Sequence, residues 1–336
     1  MSDAAPTTTE LERAIRSEPD ELQRVLDMSI AHDTVERLRQ AHRIWLVGTG
    51  TSQHAAELGA SMFHHAGRGA VAMSSMHFVN WPPPIDPRDA IVLISHNAGA
   101  ETAYAWSAYT MGMSAGLHLL AITRQGAGLA DAIETVAKEQ SHTYSVSYSA
   151  VLMVLARLAG SLGAASCSPE VLSRIPGAVG DAVERPGTEG IAQPKRLLLL
   201  FGEGPASVTA REGALKLREA SRFPAEGYDV EYLLHGSAVP LTAEDHLVSL
   251  SPPDADGLVE GVAKAAEAEG IGVSRVIEPA DLPPVLAQIP LVSRLQLLAL
   301  RFATERGENP DLVIERAWAG DELWAIGSAK GGPEPA

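Results

Sequence analysis

The chain has 336 residues, of which 46% are hydrophobic and 20% charged, a composition typical of globular proteins with room for two cores. Its formal net charge of −16, without any Lys/Arg-rich run, argues against nucleic acid as a partner. An anionic ligand would then depend on local donors such as backbone amides and hydroxyls. The single cysteine, Cys167, excludes a disulfide framework and a cysteine-rich metal site. Without a signal peptide pattern or a bilayer-length apolar stretch, we predict a cytoplasmic protein that does not associate with membranes.

Residues 1–34 are predicted to form a helical segment. Apolar residues recur at helical spacing from Leu11 to Ile30. The stretch Ser17-Glu-Pro-Asp20 indicates that a second helix begins there, because proline is tolerated in a first turn. The segment is too short for a helix-turn-helix DNA-binding domain with a linker.

The first half of the chain then opens with a strand, a glycine-rich turn and a helix. An apolar run from Arg43 ends in Gly48-Thr-Gly-Thr-Ser52, and a helical pattern follows over residues 55–65. This order is the opening unit of a parallel α/β sheet. The next elements are a strand, a helix, a strand and a long helix, predicted at residues 89–95, 101–116, 117–123 and 148–163.

The same order returns in the second half, from a strand and turn at residues 196–204 into a helix ending at Glu219. A strand, a helix, a strand and a long helix follow, predicted at residues 245–251, 256–269, 272–277 and 289–306. The repeated order predicts an internal duplication of an open α/β lobe. The predicted domains are the helical segment 1–34, lobe 1 at 35–180 and lobe 2 at 190–336.

Candidate anion-binding residues follow two strands of the first half. They lie in Gly48-Thr-Gly-Thr-Ser52 and in Ser95-His-Asn-Ala-Gly-Ala-Glu-Thr102, whereas the second half has fewer donors at the matching places. Ligands of open α/β sheets bind beyond the carboxyl ends of strands, so lobe 1 is predicted to hold the anion. Taken alone, Gly48–Ser52 is equally consistent with a tight turn and a capping hydroxyl. It lacks the third glycine of a dinucleotide fingerprint and the Gly-Lys-Ser/Thr of a nucleotide loop.

Three charged residues share one face of a predicted helix in the second half. Glu212 and Lys216 are spaced i,i+4, and Lys216 and Glu219 are spaced i,i+3. By pattern alone, a surface ladder of ion pairs is the more common explanation. The alternative is that Glu219 is a general base. His235, which precedes Gly236 in a predicted loop, is a further candidate.

These residues carry a resemblance to a known family. Glu212-Gly-Ala-Leu-Lys-Leu-Arg-Glu-Ala-Ser221, then Ala225-Glu-Gly-Tyr228, then His235-Gly236 resemble the isomerase half of glucosamine-6-phosphate synthase and its relatives in the sugar isomerase (SIS) family. Gly48–Ser52 is similar to the family's phosphate loop, and Leu11–Leu22 is similar to its N-terminal helix. The resemblance implies two tandem SIS lobes, each an open parallel sheet flanked by helices in a flavodoxin- or Rossmann-like three-layer sandwich.

The resemblance also implies roles for single residues. Glu219 matches the acid/base that moves a proton between C1 and C2, and Lys216 matches a lysine beside the sugar. His235 matches the ring-opening histidine, which relatives supply from the neighbouring subunit, so a homodimer is implied. The residues implied in phosphate binding are Thr51, Ser52, Ser95, Asn97 and Thr102. No metal and no other cofactor is expected.

Three features depart from the family's pattern. No glutaminase domain is expected before the SIS pair. The second phosphate loop is longer than the family's Ser-Gln-Ser-Gly-Glu-Thr and carries His96, Asn97 and Ala98. The family's C-terminal Schiff-base lysine has no clear counterpart, since the only lysine after Asp311 is Lys330.

The predicted activity is aldose–ketose isomerisation of a hexose or hexosamine 6-phosphate, with or without deamination. Two alternatives stay open. One is a sugar-phosphate-binding regulator without catalysis, and the other is a fructosamine-6-phosphate deglycase that uses the same glutamate and histidine on a larger substrate.

Overall fold

The computed structural model describes residues 8–98, 103–251 and 257–313, which divide into two units. Within the described residues, unit 1 consists of residues 8–20, 139–146 and 176–313, and unit 2 consists of residues 21–138 and 147–175. The units therefore interleave along the chain. The sequential domain ranges expected from the sequence stay a prediction.

Unit 2 contains a five-stranded parallel sheet in the order β2-β1-β3-β4-β5. Its strands are β1 (Ile44–Gly48), β2 (Ala70–Ser74), β3 (Ala90–Ile94), β4 (His118–Thr123) and β5 (Ile133–Glu134). Every residue of β1 and β3 is buried, which fits their continuous apolar sequences, because central strands of parallel sheets are covered on both faces. The helices with most of their residues in this unit are α2 (His32–Gln40), α3 (Thr51–His65), α4 (Ser75–Asn80), α5 (Ala103–Ser114), α6 (Val146–Leu162) and α7 (Pro169–Leu172).

Unit 1 contains a four-stranded parallel sheet in the order β7-β6-β8-β9. Its strands are β6 (Leu198–Gly202), β7 (Ala225–Asp229), β8 (His246–Ser251) and β9 (Gly272–Ile277). The remaining helices are α1 (Glu10–Asp27), α8 (Ile175–Glu184), α9 (Pro205–Ser221), α10 (Val230–Tyr232), α11 (Leu258–Ala268) and α12 (Pro284–Arg306). The predicted α/β fold with parallel sheets is thus confirmed in both units.

The turn between strand and helix has the same unusual backbone in both units. Gly50, between β1 and α3, has φ 57° and ψ −126°, and Gly204, between β6 and α9, has φ 50° and ψ −124°. Residues with a Cβ rarely adopt this conformation, so glycine is required at both places. Each of these glycine-containing loops lies between the carboxyl end of a strand and the first turn of the helix that follows.

The N-terminal helix differs from the prediction. α1 is one helix of 18 residues with Pro19 inside it, so the predicted helix start at Ser17–Asp20 is wrong. Leu11, Ile15 and Leu22 are all buried on one continuous apolar face. Burial of that face on both sides of Pro19 outweighs the single backbone hydrogen bond that proline cannot make.

α12 is the long central helix of unit 1. It begins at Pro284 rather than at the predicted Ile289, and Pro290 lies within it. Leu295, Leu298 and Phe302 of α12 pack in one core cluster with Leu217 of α9. Among the described residues α12 is long and apolar enough to cross a membrane by length and composition, but 83% of its most apolar window is buried in the protein. Such burial is what a core helix shows.

The segment that follows α12 connects three parts of unit 1. The carboxylate of Asp311 accepts hydrogen bonds from the first two backbone amides of α1, at 2.9 and 2.8 Å. The hydroxyl of Thr143 donates to the carbonyl of Pro310 at 2.7 Å. The guanidinium of Arg222, at the end of α9, donates to the carbonyl of Asn309 at 2.9 Å. This segment therefore fastens the start of α1, residues 139–146 and the end of α9 to one another.

Candidate functional site

One face of α9 holds an ammonium group between two carboxylates. The side chains of Lys216 and Glu212 are fully buried, with Nζ of Lys216 3.4 Å from Oε1 of Glu212. The same Nζ donates a hydrogen bond of 2.6 Å to Oε2 of Glu219. The surface ion-pair ladder, which the spacing alone favoured, is wrong because Glu212 and Lys216 are buried.

The charge of Lys216 is maintained against its burial. Burial acts to lower the pKa of Lys216, but the Glu219 and Glu212 carboxylates outweigh it and raise the pKa above its ordinary value. Glu139, from the 139–146 segment, adds to this effect. Lys216 is therefore an ammonium at neutral pH and serves as a hydrogen-bond donor, not as a base.

Glu139 is a site residue that sequence reasoning missed. Its side chain is buried and accepts hydrogen bonds from the backbone amide of Ser145 at 3.1 and 3.2 Å. It reaches the neighbourhood of Lys216 from a distant stretch of chain, so no spacing in the sequence links the two residues.

The carboxylate of Glu219 has two unlike oxygens. Oε2 is held by Lys216, whereas Oε1 makes no hydrogen bond within the part of the chain that the structure describes. The side chain is 22% exposed, while Glu212 and Lys216 are fully enclosed. Of the two carboxylates that contact Lys216, only that of Glu219 is open to a ligand.

His235 lies on an exposed turn of unit 1, in the segment Leu233–Ser237 after α10. Gly236 has φ 116°, which turns the chain sharply behind the histidine. Across residues 8–98, 103–251 and 257–313, no hydrogen bond or ion pair joins His235 to Glu219 or Lys216. The structure therefore does not bring the predicted histidine onto the α9 carboxylate within one chain.

The first predicted phosphate residues occupy the start of α3 in unit 2. Thr51 and Ser52 form its first turn, and both side chains are half-buried. The hydroxyl of Ser52 makes no hydrogen bond to the described residues. Thr49, in the turn before them, shares a short hydrogen bond with Ser75 at the start of α4.

The second predicted phosphate loop begins at the end of β3. Ser95 is buried directly after the strand. Asn97 receives a hydrogen bond of 2.8 Å on its Oδ1 from Nε of Arg124. Thr102 lies outside the described residues. Arg124, the first residue after β4, is a second residue that sequence reasoning missed, although its place at a strand's carboxyl end was a usable signal.

His96 is half-buried within this loop, beside positive charges. Burial lowers the pKa of His96 to about 4, with further contributions from Arg124 and Lys138. The imidazole is therefore neutral at pH 7. No group of three or more His, Cys, Asp or Glu side chains among the described residues is placed to hold a metal ion.

Comparison with known proteins finds a family match for part of this chain. Residues 37–156 match the SIS domain family. A glutamine–fructose-6-phosphate aminotransferase of Gloeobacter violaceus is 29% identical over 310 residues, which cover 80% of this chain and 50% of that protein. The chain spans about half the length of the curated relatives it matches.

Two solved structures share the fold. The C-terminal domain of glucosamine-fructose-6-phosphate aminotransferase from Francisella tularensis superposes with a TM-score of 0.78 at 18% identity, covering 91% of this chain and 99% of that chain. Tagatose-6-phosphate ketose/aldose isomerase from Escherichia coli gives 0.76 at 18% identity, covering 95% and 100%. These likenesses show the fold, and the family match covers residues 37–156. The chain is homologous to the isomerase domain of glutamine–fructose-6-phosphate aminotransferase, which confirms the resemblance in the sequence.

Proposed function

We propose that the chain is a phosphosugar isomerase built from two tandem SIS lobes, acting on a hexose or hexosamine 6-phosphate through enolisation by Glu219. The SIS family match at residues 37–156 supports the first lobe. The strand order of unit 1 and the shared backbone at Gly50 and Gly204 support the second. The names of the three similar proteins reported above each include a sugar 6-phosphate, which supports the substrate class.

The observation that carries this proposal is the carboxylate of Glu219. One oxygen is fixed by a buried ammonium and the other is accessible and without a hydrogen bond among the described residues. A general base needs a fixed orientation and a free oxygen within reach of the proton it removes. Glu212 has the same chemistry but is fully enclosed, so it serves to hold Lys216.

In the proposed reaction the sugar ring opens first, and His235 moves the proton between the ring oxygen and C1 hydroxyl. Oε1 of Glu219 then removes the proton from C2 of the open aldose, and O1 takes a proton from water to give an enediol. Glu219 returns its proton to C1, and O2 releases a proton to water, which gives the ketose. Lys216 holds Glu219 in place throughout.

The phosphate, in this proposal, is held in unit 2 by the hydroxyls of Thr51 and Ser52 and by the Ser95–Asn97 loop, with Thr102 as a further predicted ligand. Fixing the phosphate would position C1 and C2 for proton transfer, because a bound substrate reacts as if at very high local concentration.

His235 is proposed to act in the active site of a second copy of the chain, which makes the enzyme a homodimer. Its exposed position and its lack of a bond to Glu219 within the described chain support this arrangement. The exposed apolar side chains nearby, Tyr232, Leu234 and Val239, are of the kind that a protein interface covers.

The test is Glu219→Gln, which keeps the shape and the acceptor for Lys216 but removes the base. We expect at least a 100-fold loss of turnover, roughly the contribution of general base catalysis, with binding of the sugar phosphate retained. Glu244→Gln removes an exposed carboxylate of the same unit and should leave turnover unchanged. Turnover by Glu219→Gln at the wild-type rate would contradict the assignment.

The choice of substrates in the same assay separates the related functions. Hexose 6-phosphates, hexosamine 6-phosphates and fructosamine 6-phosphates would each be followed for isomer formation and for ammonia or free amine. Ammonia from the hexosamine phosphate identifies a deaminase, and amine from the fructosamine phosphate identifies a deglycase. Binding of these compounds without turnover of any of them would contradict the enzyme and indicate a regulator.

A further inference from the structure

Arg124 sits at the edge of the unit 2 sheet where the predicted phosphate loop begins. It is the first residue after β4, and β4 pairs in parallel with β3, whose end carries Ser95. The carboxyl ends of neighbouring parallel strands meet at one edge of a sheet, and that edge is where ligands of open α/β sheets bind. Arg124 therefore shares the location of the predicted loop without belonging to its sequence.

Three hydrogen bonds fix the position of Arg124. Its backbone amide donates to the carbonyl of His96 at 3.0 Å, which joins β4 to the loop. Its Nε donates to Oδ1 of Asn97 at 2.8 Å, and Nη1 donates to the carbonyl of Gln125 at 2.8 Å. Nη2 makes no hydrogen bond to the residues that the structure describes. The side chain is thus held in one orientation with donor capacity to spare.

Within the part of the chain that the structure describes, no carboxylate pairs with the charge of Arg124. No ion pair involves it among the described residues, whereas Arg88, Arg196 and Arg275 of the same chain each have one. Lys138 adds a second positive charge that acts on His96, and His96 itself is neutral. In a chain with a net charge of −16, Arg124 and Lys138 thus bring two positive charges to the described part of this loop.

We propose that Arg124 binds the substrate's phosphate, as a cationic ligand that works beside the neutral donors of the loop. The inference rests on the proposed function, because it takes the Ser95–Asn97 loop as the phosphate site. Asn97 and the Gln125 carbonyl orient the guanidinium through Nε and one hydrogen of Nη1, which leaves Nη2 and the second hydrogen of Nη1 as donors for the anion. A planar guanidinium suits a phosphate, since it can donate two parallel hydrogen bonds.

The experiment measures binding of inorganic phosphate, and of one hexose 6-phosphate that the wild-type chain binds, by titration calorimetry. Arg124→Met keeps the aliphatic stem and removes the charge. We expect its dissociation constant for phosphate to rise at least about tenfold, as for loss of a hydrogen bond to a charged group. KM for the sugar phosphate should rise more than kcat falls. Arg124→Lys keeps the positive charge but not the planar guanidinium. Its dissociation constant for phosphate should lie between those of the wild type and Arg124→Met.

The matched control is Arg88→Met, which removes the same charge from the same unit. Arg88 precedes β3 at the opposite edge of the sheet and pairs with Asp86 at 2.8 Å. The Arg88→Met variant should bind phosphate as tightly as the wild type does. If Arg124→Met fails to fold, Arg124→Lys decides the question through its dissociation constant and its KM.

The outcomes distinguish this inference from the proposed function. If the Arg124 variants bind phosphate as tightly as the wild type and turn over substrate normally, only the role of Arg124 is contradicted. A second outcome is that Arg124→Met binds phosphate more weakly than the wild type, while the wild type turns over no sugar phosphate. This outcome would support the anion site and contradict the isomerase. A wild-type chain that binds neither inorganic phosphate nor any hexose 6-phosphate would overturn both.

Discussion

Replacing Lys216 by methionine removes the ammonium that two carboxylates of α9 share. Nζ lies 2.6 Å from Glu219 and 3.4 Å from Glu212, and the Glu212 side chain is fully buried. Methionine fills most of the space, so the main effect is the loss of a positive charge beside a buried negative one. Breaking a buried ion pair by removing one partner typically costs about 3–5 kcal/mol. The folding equilibrium would fall by roughly two to four orders of magnitude.

Urea denaturation at pH 7 measures this loss as a lower midpoint with an unchanged slope. The raised pKa of Lys216 sets its pH dependence, because a lysine whose pKa is raised on folding contributes its full stabilisation below the ordinary lysine pKa. That contribution is lost only as the pH rises through the folded-state pKa. The charge of Lys216 should therefore contribute a constant amount to wild-type stability from pH 6 to pH 9.

Two further variants test the reasoning. In Glu212→Gln/Lys216→Met both buried charges are gone, and most of the lost stability should return, while turnover stays low because Glu219 has lost its support. Lys264→Met removes the lysine of another i,i+4 pair, with Glu260, whose lysine side chain is 71% exposed. It should change stability little. If Lys216→Met were no less stable than Lys264→Met, the buried ammonium could not have the role described.

Two other predictions concern stability. His96→Gln should make the stability of the chain less sensitive to acid. The pKa of His96 is lowered to about 4 in the folded state, so as the pH falls the imidazole is protonated first in the unfolded state. Wild-type stability therefore falls as the pH drops from about 6.5 towards 4. Between pH 7 and pH 5 the variant should lose about 2 kcal/mol less than wild type in urea denaturation, and equal losses would contradict the half-buried imidazole. Asp311→Ala should destabilise the chain by about 1 kcal/mol by removing the cap of α1. Asp311→Asn keeps an acceptor and should lose less; equal losses in the two variants would refute the capping role.

The central strands and their turns could be predicted from the sequence. β1 and β6 are unbroken apolar runs that end in glycine and lead into helical periodicity, a combination that leaves few alternatives to a parallel α/β unit. The neighbouring strands β2 and β7 were not predicted. Their sequences, Ala-Val-Ala-Met-Ser and Ala-Glu-Gly-Tyr-Asp, have little strand preference of their own, and pairing with β1 and β6 makes them strands.

The candidate site was predictable in its residue types but not in its burial. Glu212–Lys216 and Glu260–Lys264 have the same spacing on a helix, yet the first pair is enclosed and the lysine of the second is exposed. Spacing fixes which side chains are neighbours on a helix, whereas the packing of other elements decides which face is covered. Glu139 approaches from another stretch of the chain, so no local pattern could reveal it, whereas the place of Arg124 directly after β4 was a usable signal.

The segment after α12 has a consequence for the order in which the protein can form during synthesis. Unit 1 takes its first stretch from residues 8–20 and its last from the neighbourhood of Asp311, which caps the start of α1. During synthesis on the ribosome, the first two amides of α1 have no access to the carboxylate of Asp311 until it is made, 301 and 300 residues later. The sheet of unit 2 lies between residues 44 and 134, so all five of its strands have been translated well before unit 1 can close.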